Sequence, residues 1–224
     1  MKKLLVVFLA VLFACGIAFA EGGSGTVKVG DYITFGRYEQ DNDLENGPEE
    51  IEWLVVEAEE GKCCLVSRYI LDAQNFHNTE EAVTWETCWL RGWLNEEFLN
   101  TAFSAEEQEL IPVTHVDNSI QSPWTKSPND TDDRIYLLSY SEVYGKYFRK
   151  DWDRYCLGTP YAIARGLQSV RQRDGSVTSG YWLRVGHLNI DYFTSVQPNG
   201  RECNTSHGAW LNGVRPVLWM KLGQ

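Results

Sequence analysis

No C-x-x-C pair, no H-E-x-x-H and no G-x-S-x-G occurs anywhere in the 224 residues. The first absence removes ribbon-type zinc sites, which need that spacing. The second removes helix-borne zinc hydrolases, and the third a serine nucleophile elbow. Basic residues are scarce as well: 20 Lys and Arg stand against 31 Asp and Glu, a formal charge of −11. A surface of that sign repels phosphate backbones and anionic lipid, which argues against nucleic acid as a partner and against docking on acidic membranes. Long apolar runs are missing beyond the first twenty residues, so no later segment is expected to span a membrane. Internal repeats and low-complexity tracts are absent too.

What the chain does have begins at its first residues. Lys2 and Lys3 are followed by an unbroken apolar run, Leu4 to Phe13, and then by Ala18-Phe19-Ala20 before Glu21. A charged start, an apolar middle and a small-x-small end are the three parts of a secretory signal. Residues 1–20 are therefore expected to be removed on export, leaving a secreted or cell-surface protein. Leu12-Phe13-Ala14-Cys15-Gly16 offers an alternative, a lipobox that would leave Cys15 as a lipid anchor. Phe13 is bulky for that motif and the apolar run continues past Cys15, which favours cleavage after Ala20. Residues 21–26 read as a flexible Gly/Ser-rich leader, and 27–224 as one domain with a substantial core.

Six cysteines are present, and five lie beyond Ala20. Cys63 and Cys64 are neighbours in an expected strand, so their side chains point to opposite faces and do not bond each other. A Cys156–Cys203 pair stays open, since connectivity is not legible in sequence.

Val29 to Tyr38 reads as a strand, and Ile51–Ala58 with Lys62–Ile70 as a hairpin turning at Gly61. Trp89, Trp93, Leu94 and Phe98 form one apolar helical face. Ser104–Glu107 and Ser139–Glu142 carry capping boxes, and Thr159-Pro160 is a further helix start. Arg134–Leu138, Gly180–Val185, Asn189–Val196 and Val214–Leu222 read as strands, with a turn at Asn199-Gly200. Asn118–Asp133 reads as a loop. Strands, then helices, then strands make an α+β domain.

Oxygen-rich clusters offer calcium a less favoured place. Asp41, Asp43, Glu45 and Glu52 imitate EF-hand spacing, but Asn46 replaces the required glycine. Asn129, Asp130, Asp132 and Asp133 are a second such cluster, read mainly as turn and cap chemistry. His77, His115, His187 and His207 lack helical metal spacing, although His187 and His207 flank one late segment. No metal or other cofactor is expected.

Four ordered patterns carry a resemblance. They are Ile51-Glu52-Trp53-Leu54-Val55 with Leu65-Val66-Ser67; Thr84-Trp85-Glu86 with Leu90-Arg91-Gly92-Trp93-Leu94-Asn95; Asp133 to Ser139; and Tyr181-Trp182-Leu183-Arg184 with Gly213-Val214-Arg215-Pro216-Val217-Leu218. Together they resemble a bacterial exported domain family of unknown function. That family is similar in fold to C-type-lectin-like domains, in the branch of formylglycine-generating enzymes. The resemblance implies a C-type-lectin-like single domain in which Trp53, Trp85, Arg91, Trp93, Asn95, Trp182, Arg184, Arg215 and Pro216 are structural. It brings no assigned reaction, and the copper-binding cysteine pair of formylglycine-generating enzymes has no counterpart here.

In lectin-like folds the late loops bind ligands. Gly186–Trp210 is the corresponding polar segment, and His187, Asn189, Asp191, Tyr192, His207 and Trp210 are its candidate ligand-binding residues. Gln197-Pro198-Asn199 approaches a lectin calcium triplet but is also ordinary turn chemistry. The function expected is a non-catalytic recognition module for glycan or an extracellular protein. The alternatives are an enzyme of the formylglycine-generating type or an unrecognised hydrolase, and a structural surface domain.

Overall fold

A computed structural model describes residues 26–79, 81, 83–119, 129–186, 192–207 and 209–223. The expected export signal, Cys15 and most of the expected Gly/Ser leader lie outside the described residues. The strands and helices run as follows: β1 (Tyr32–Tyr38), β2 (Glu49–Glu59), β3 (Lys62–Ser67), β4 (Asp72–Asn75), α1 (Trp89–Trp93), α2 (Leu99–Ala102), α3 (Ala105–Leu110), β5 (Thr114–Val116), β6 (Thr131–Asp133), β7 (Ile135–Tyr136), α4 (Pro160–Ala164), β8 (Ser169–Arg171), β9 (Val177–Ser179), β10 (Tyr181–Gly186), β11 (Tyr192–Val196), β12 (Glu202–His207), β13 (Leu211–Val214) and β14 (Val217–Lys221). A π turn, Leu94–Phe98, joins α1 to α2, and another spans Glu142–Tyr147.

Two five-stranded sheets dominate, in the orders β1-β2-β3-β14-β7 and β12-β11-β10-β13-β4. Every pairing in the first is antiparallel. In the second only β10 and β13 run parallel. One antiparallel ribbon serves both sheets. β3 and β14 pair at Val66↔Val217, and β4 and β13 pair at Asp72↔Val214. Between them the two chains stay bonded, Ser67 N–H to Pro216 O and Leu71 N–H to Val214 O. Pro216 has no N–H to give to a ladder, so it is tolerated at this junction between strands.

Arg215 holds the same junction. It is buried, and its Nε donates to Ser67 O at 3.0 Å and its Nη1 to the Tyr181 hydroxyl at 3.3 Å. Its guanidinium also lies over the Phe148 and Tyr181 rings, which supply π faces where no carboxylate among the described residues is paired with it.

The other residues quoted for the resemblance are also internal ties. Trp53 Nε1 donates to Phe35 O, and Trp182 Nε1 to Gln74 O. Asp133 is buried and accepts from Trp85 Nε1 at 2.9 Å, Arg91 Nε at 2.6 Å and Thr131 Oγ1 at 2.8 Å. Trp93 is buried. Asn95, in the π turn, donates to Arg91 O and Ile135 O and accepts from the N–H groups of Arg134 and Ile135. The expected strand over Arg134–Leu138 is shortened to β7, with the Arg134 N–H taken by Asn95 rather than by a ladder.

The turn chemistry follows the sequence closely. The β2–β3 hairpin turns at Gly61, which has φ 77°. Ser104 and Glu107 form their capping box, and Thr159 Oγ1 caps α4. Gly36, at φ 70°, sits in the β1 register shift, where a Cβ would fall 2.5 Å from the Phe103 ring. Thr131–Asp133 pairs with Thr114–Val116 as a small ribbon, where the sequence had suggested only a loop. Short strands such as β4, β8 and β13 were not anticipated, because their apolar alternation is too brief to register.

Cys63, Cys64, Cys88 and Cys156 are buried free thiols. β3 lies between β2 and β14 with both faces covered, so Cys63 and Cys64 are both inside. Cys156 Sγ donates to Arg68 O, so it takes no part in the Cys156–Cys203 pair left open above.

Candidate functional site

A cleft of about 280 Å³ opens where β2, β5, β7, β10, β14 and the Glu142–Tyr147 turn meet. Its floor is Arg184, at the inner end of the Tyr-Trp-Leu-Arg run of β10. Burying a guanidinium is costly unless its charge and its five donors are matched. Here they are. Nε donates to Asn118 Oδ1 at 3.0 Å, Nη1 to Leu137 O at 2.8 Å and to Glu142 Oε2, and Nη2 to Asp117 O and Glu142 Oε1, each at 3.2 Å.

Glu142 does two jobs at once. The Ser139–Glu142 capping box forms: Ser139 N–H donates to Glu142 Oε2 at 2.7 Å, and Glu142 N–H to Ser139 Oγ at 3.2 Å. The same carboxylate makes the fork to Arg184. Burial pulls its pKa up, but the Arg184 guanidinium and the Ser139 donor more than offset this, and the carboxyl is held below its ordinary range. The helix cap and the ion pair thus fix the cleft floor together.

The walls carry hydroxyls, rings and balanced charges. Tyr136 stacks beneath the Arg184 guanidinium, 5.5 Å from ring centre to Cζ, with its hydroxyl 3.7 Å from Cys64 Sγ. Tyr147 donates its hydroxyl to Glu57, which also receives Lys146 Nζ at 2.6 Å. Burial, then Glu57 or Cys64 alongside, pushes both phenols well above their ordinary pKa, so both stay protonated. Trp219 lines the far side, with Lys62 Nζ 4.4 Å from its ring centre. Thr114, His115, Asp117, Ser119, Ser139 and Ser141 complete the polar lining. His115 Nδ1 lies 3.1 Å from Asp132 and Nε2 3.4 Å from Asp130. The hydrogen bond to Asp132 raises the imidazole pKa above its ordinary value.

Of the residues expected to bind ligand, the structure describes Trp210 and the backbones of Tyr192 and His207. His187, Asn189 and Asp191 lie outside the described residues, as do the side chains of Tyr192 and His207. The backbones of Tyr192 and His207 face each other across the β11–β12 hairpin. Within the late polar segment, Tyr192–Val196 and Glu202–His207 are paired strands, the first of them matching the strand expected over Asn189–Val196. Trp210 is exposed in the β12–β13 turn and does not line the cleft. Gln197-Pro198-Asn199 forms the hairpin turn: Gly200 N–H donates to Gln197 O, and Asn199 Oδ1 accepts Arg201 N–H.

The calcium-like clusters disperse into separate jobs. Asn129 bonds Glu86, Asp130 accepts Asn118 N–H, Asp132 meets His115, and Asp133 is buried on Arg91. Glu52 pairs with Arg68, away from Asp41. The four described thiols are buried, and burial raises each above its ordinary pKa, Cys88 and Cys64 to about 12, which disfavours the reactive thiolate.

Sequence reasoning missed Glu57, His115, Tyr147 and Trp219 as site residues. A capping box followed by the Tyr-Trp-Leu-Arg arginine was the available signal, because a buried arginine needs a carboxylate and Glu142 stood ready.

A family model described as a domain of unknown function, DUF6273, matches residues 60–222. The chain belongs to this family. The DUF6273 match contains every cleft residue named above except Glu57, and it contains the ribbon that joins the two sheets. No curated protein and no solved structure matches the chain. Among the described residues no helix is long and apolar enough to cross a membrane.

Proposed function

We propose that this DUF6273 domain is an exported recognition module, of C-type-lectin-like architecture, that binds a neutral, hydroxyl-rich ligand such as a glycan in the cleft above Arg184. The observation that carries the reading is that each cation at the cleft is matched by a carboxylate of the protein itself. Arg184 is matched by Glu142, Lys146 by Glu57, and His115 by Asp130 and Asp132. Asp117, which accepts Ser119 N–H, adds a further carboxylate to the lining, so among the described residues the cleft holds no unmatched cation with which to select an anionic ligand. Each carboxylate retains lone-pair capacity, and the lining adds serine hydroxyls, protonated phenols and an indole. Polar groups beside ring faces suit sugar hydroxyls and C–H faces. The size, near the lower end of ~300–1,000 Å³ for ligand clefts, suits one ring rather than a long chain.

Recognition fits better than hydrolysis for a physical reason. A glycosidase acid needs a carboxyl with a raised pKa. Glu142 is held ionised, and Glu57 is occupied by a lysine and a phenol. The export reading rests on residues 1–20, and the fold likeness on the four quoted patterns.

A glycan array probed with wild type and with Trp219→Ala and Ser141→Ala tests the proposal. Sugar binding that both substitutions weaken supports it. Sugar binding that survives them but is lost in Trp210→Ala would move the site to the late turn. Release of free sugar from any spot would replace recognition by hydrolysis.

A further inference from the structure

A separate cavity, about 330 Å³, lies between β1 and the helical run that continues from α1, and it shares no lining residue with the cleft above Arg184. Four rings line it. Tyr38 and Phe98 are 5.0 Å apart, Trp93 and Phe98 5.6 Å, and Tyr161 meets Tyr38 edge-on at 5.9 Å. Two carboxylates share the lining, Glu39 and Glu97, and no lysine or arginine does. Glu39 Oε1 is shut away from solvent and has no hydrogen-bond partner. Neither carboxylate forms an ion pair with a basic side chain among the described residues. Arg165 reaches the outer face of Tyr161, but its guanidinium is engaged by buried Asp72, which also accepts the Tyr38 hydroxyl.

We infer that this cavity binds an organic ammonium group, quaternary or heavily methylated, on a small molecule. The faces of aromatic rings attract a cation through their quadrupole, and most strongly when it sheds water as it enters. A methylated ammonium brings apolar methyls to the rings and positive charge to Glu39 and Glu97. A hard divalent cation such as calcium is a poorer match, because it asks for six or more oxygens and the lining is largely ring and aliphatic carbon. Asp41 and Glu49, whose oxygens gather with those of Glu39 within 4.8 Å, add negative potential at the rim. They are already held by protein donors, Asp41 by Asn46 and Glu49 by the Gln40 N–H.

The test is isothermal titration of the purified full chain with choline, with its neutral carbon isostere 3,3-dimethylbutan-1-ol, and with calcium chloride. Choline is expected to bind about tenfold or more tightly than the isostere, the scale of a desolvated cation–ring contact. Glu39→Gln with Glu97→Gln is expected to weaken choline about tenfold and leave the isostere unchanged. Tyr161→Ala, at a half-buried ring, gives a second reading should the carboxylate variant misfold, and is expected to weaken choline as well. Equal affinity for choline and its isostere overturns the inference. So does choline affinity that none of the variants changes, and so does binding of calcium with no response to choline.

Discussion

Replacing Arg184 with methionine strands what the guanidinium now satisfies. Glu142 loses both bonds of its fork, and Asn118 Oδ1, Leu137 O and Asp117 O each lose a donor. Arg184 is 3% exposed on its side chain and Glu142 23%, so water does little to replace the loss. Removing one partner of a buried pair costs about 3–5 kcal/mol. At ~2–4 °C per kcal/mol for a domain of this size, the melting temperature falls by roughly 10 °C. Substituting Glu142 with leucine as well removes the stranded charge, so the double variant is expected to recover much of that loss. Urea unfolding of the four proteins closes the cycle, and a coupling of about 2 kcal/mol or more is expected. The pH dependence has a definite sign. The Glu142 pKa is depressed in the fold, so its contribution is complete above the unfolded value of ~4.3 and is lost as pH falls through the folded value. Additive single costs, or a cost under ~1 kcal/mol for Arg184→Met, would refute the reasoning, because those are the marks of a solvent-screened pair.

Three further outcomes follow from the same geometry. Gly36→Ala should destabilise by more than about 2 kcal/mol, through strain at positive φ and overlap with Phe103, while Gly47→Ala, also at positive φ but in open space, should cost about 1 kcal/mol; denaturation curves separate the two. NMR titration should place the His115 pKa above ~6.5, dropping in Asp132→Asn; its contribution is complete below that unfolded value and is lost as pH rises through the folded one. The buried thiols Cys63, Cys64, Cys88 and Cys156 should react with a thiol reagent only as the protein unfolds, and rapid native-state labelling at any of these four would contradict their placement.

Local chemistry was legible in the sequence wherever a few adjacent residues decide it. The Gly61 hairpin, the Ser104 and Ser139 capping boxes and the Thr159-Pro160 start are such cases, and each occurs as read. The assembly of the sheets was not legible. That β13 and β14 are one ribbon passing from one sheet to the other depends on partners in β3 and β4, more than a hundred residues away. The cleft was half legible. Arg184 and Glu142 were each singled out, one by a pattern and one by a cap. Nothing local says that they meet, or that Glu57, Tyr147 and Trp219 surround them, since these stand on different strands and turns. In the late segment the strand read over Asn189–Val196 and the turn at Asn199-Gly200 are answered by β11 and its turn, whereas β12, polar and without apolar alternation, does not register in the sequence.

The central claim is that ligand enters above Arg184 and not at the late turn. Chemical-shift mapping of the labelled domain, titrated with a panel of monosaccharides, tests it most directly. The account predicts shifts concentrated at Ser139, Ser141, Tyr147 and the Trp219 indole. Shifts concentrated at Trp210 and the end of the β11–β12 hairpin, with the cleft unmoved, would contradict it.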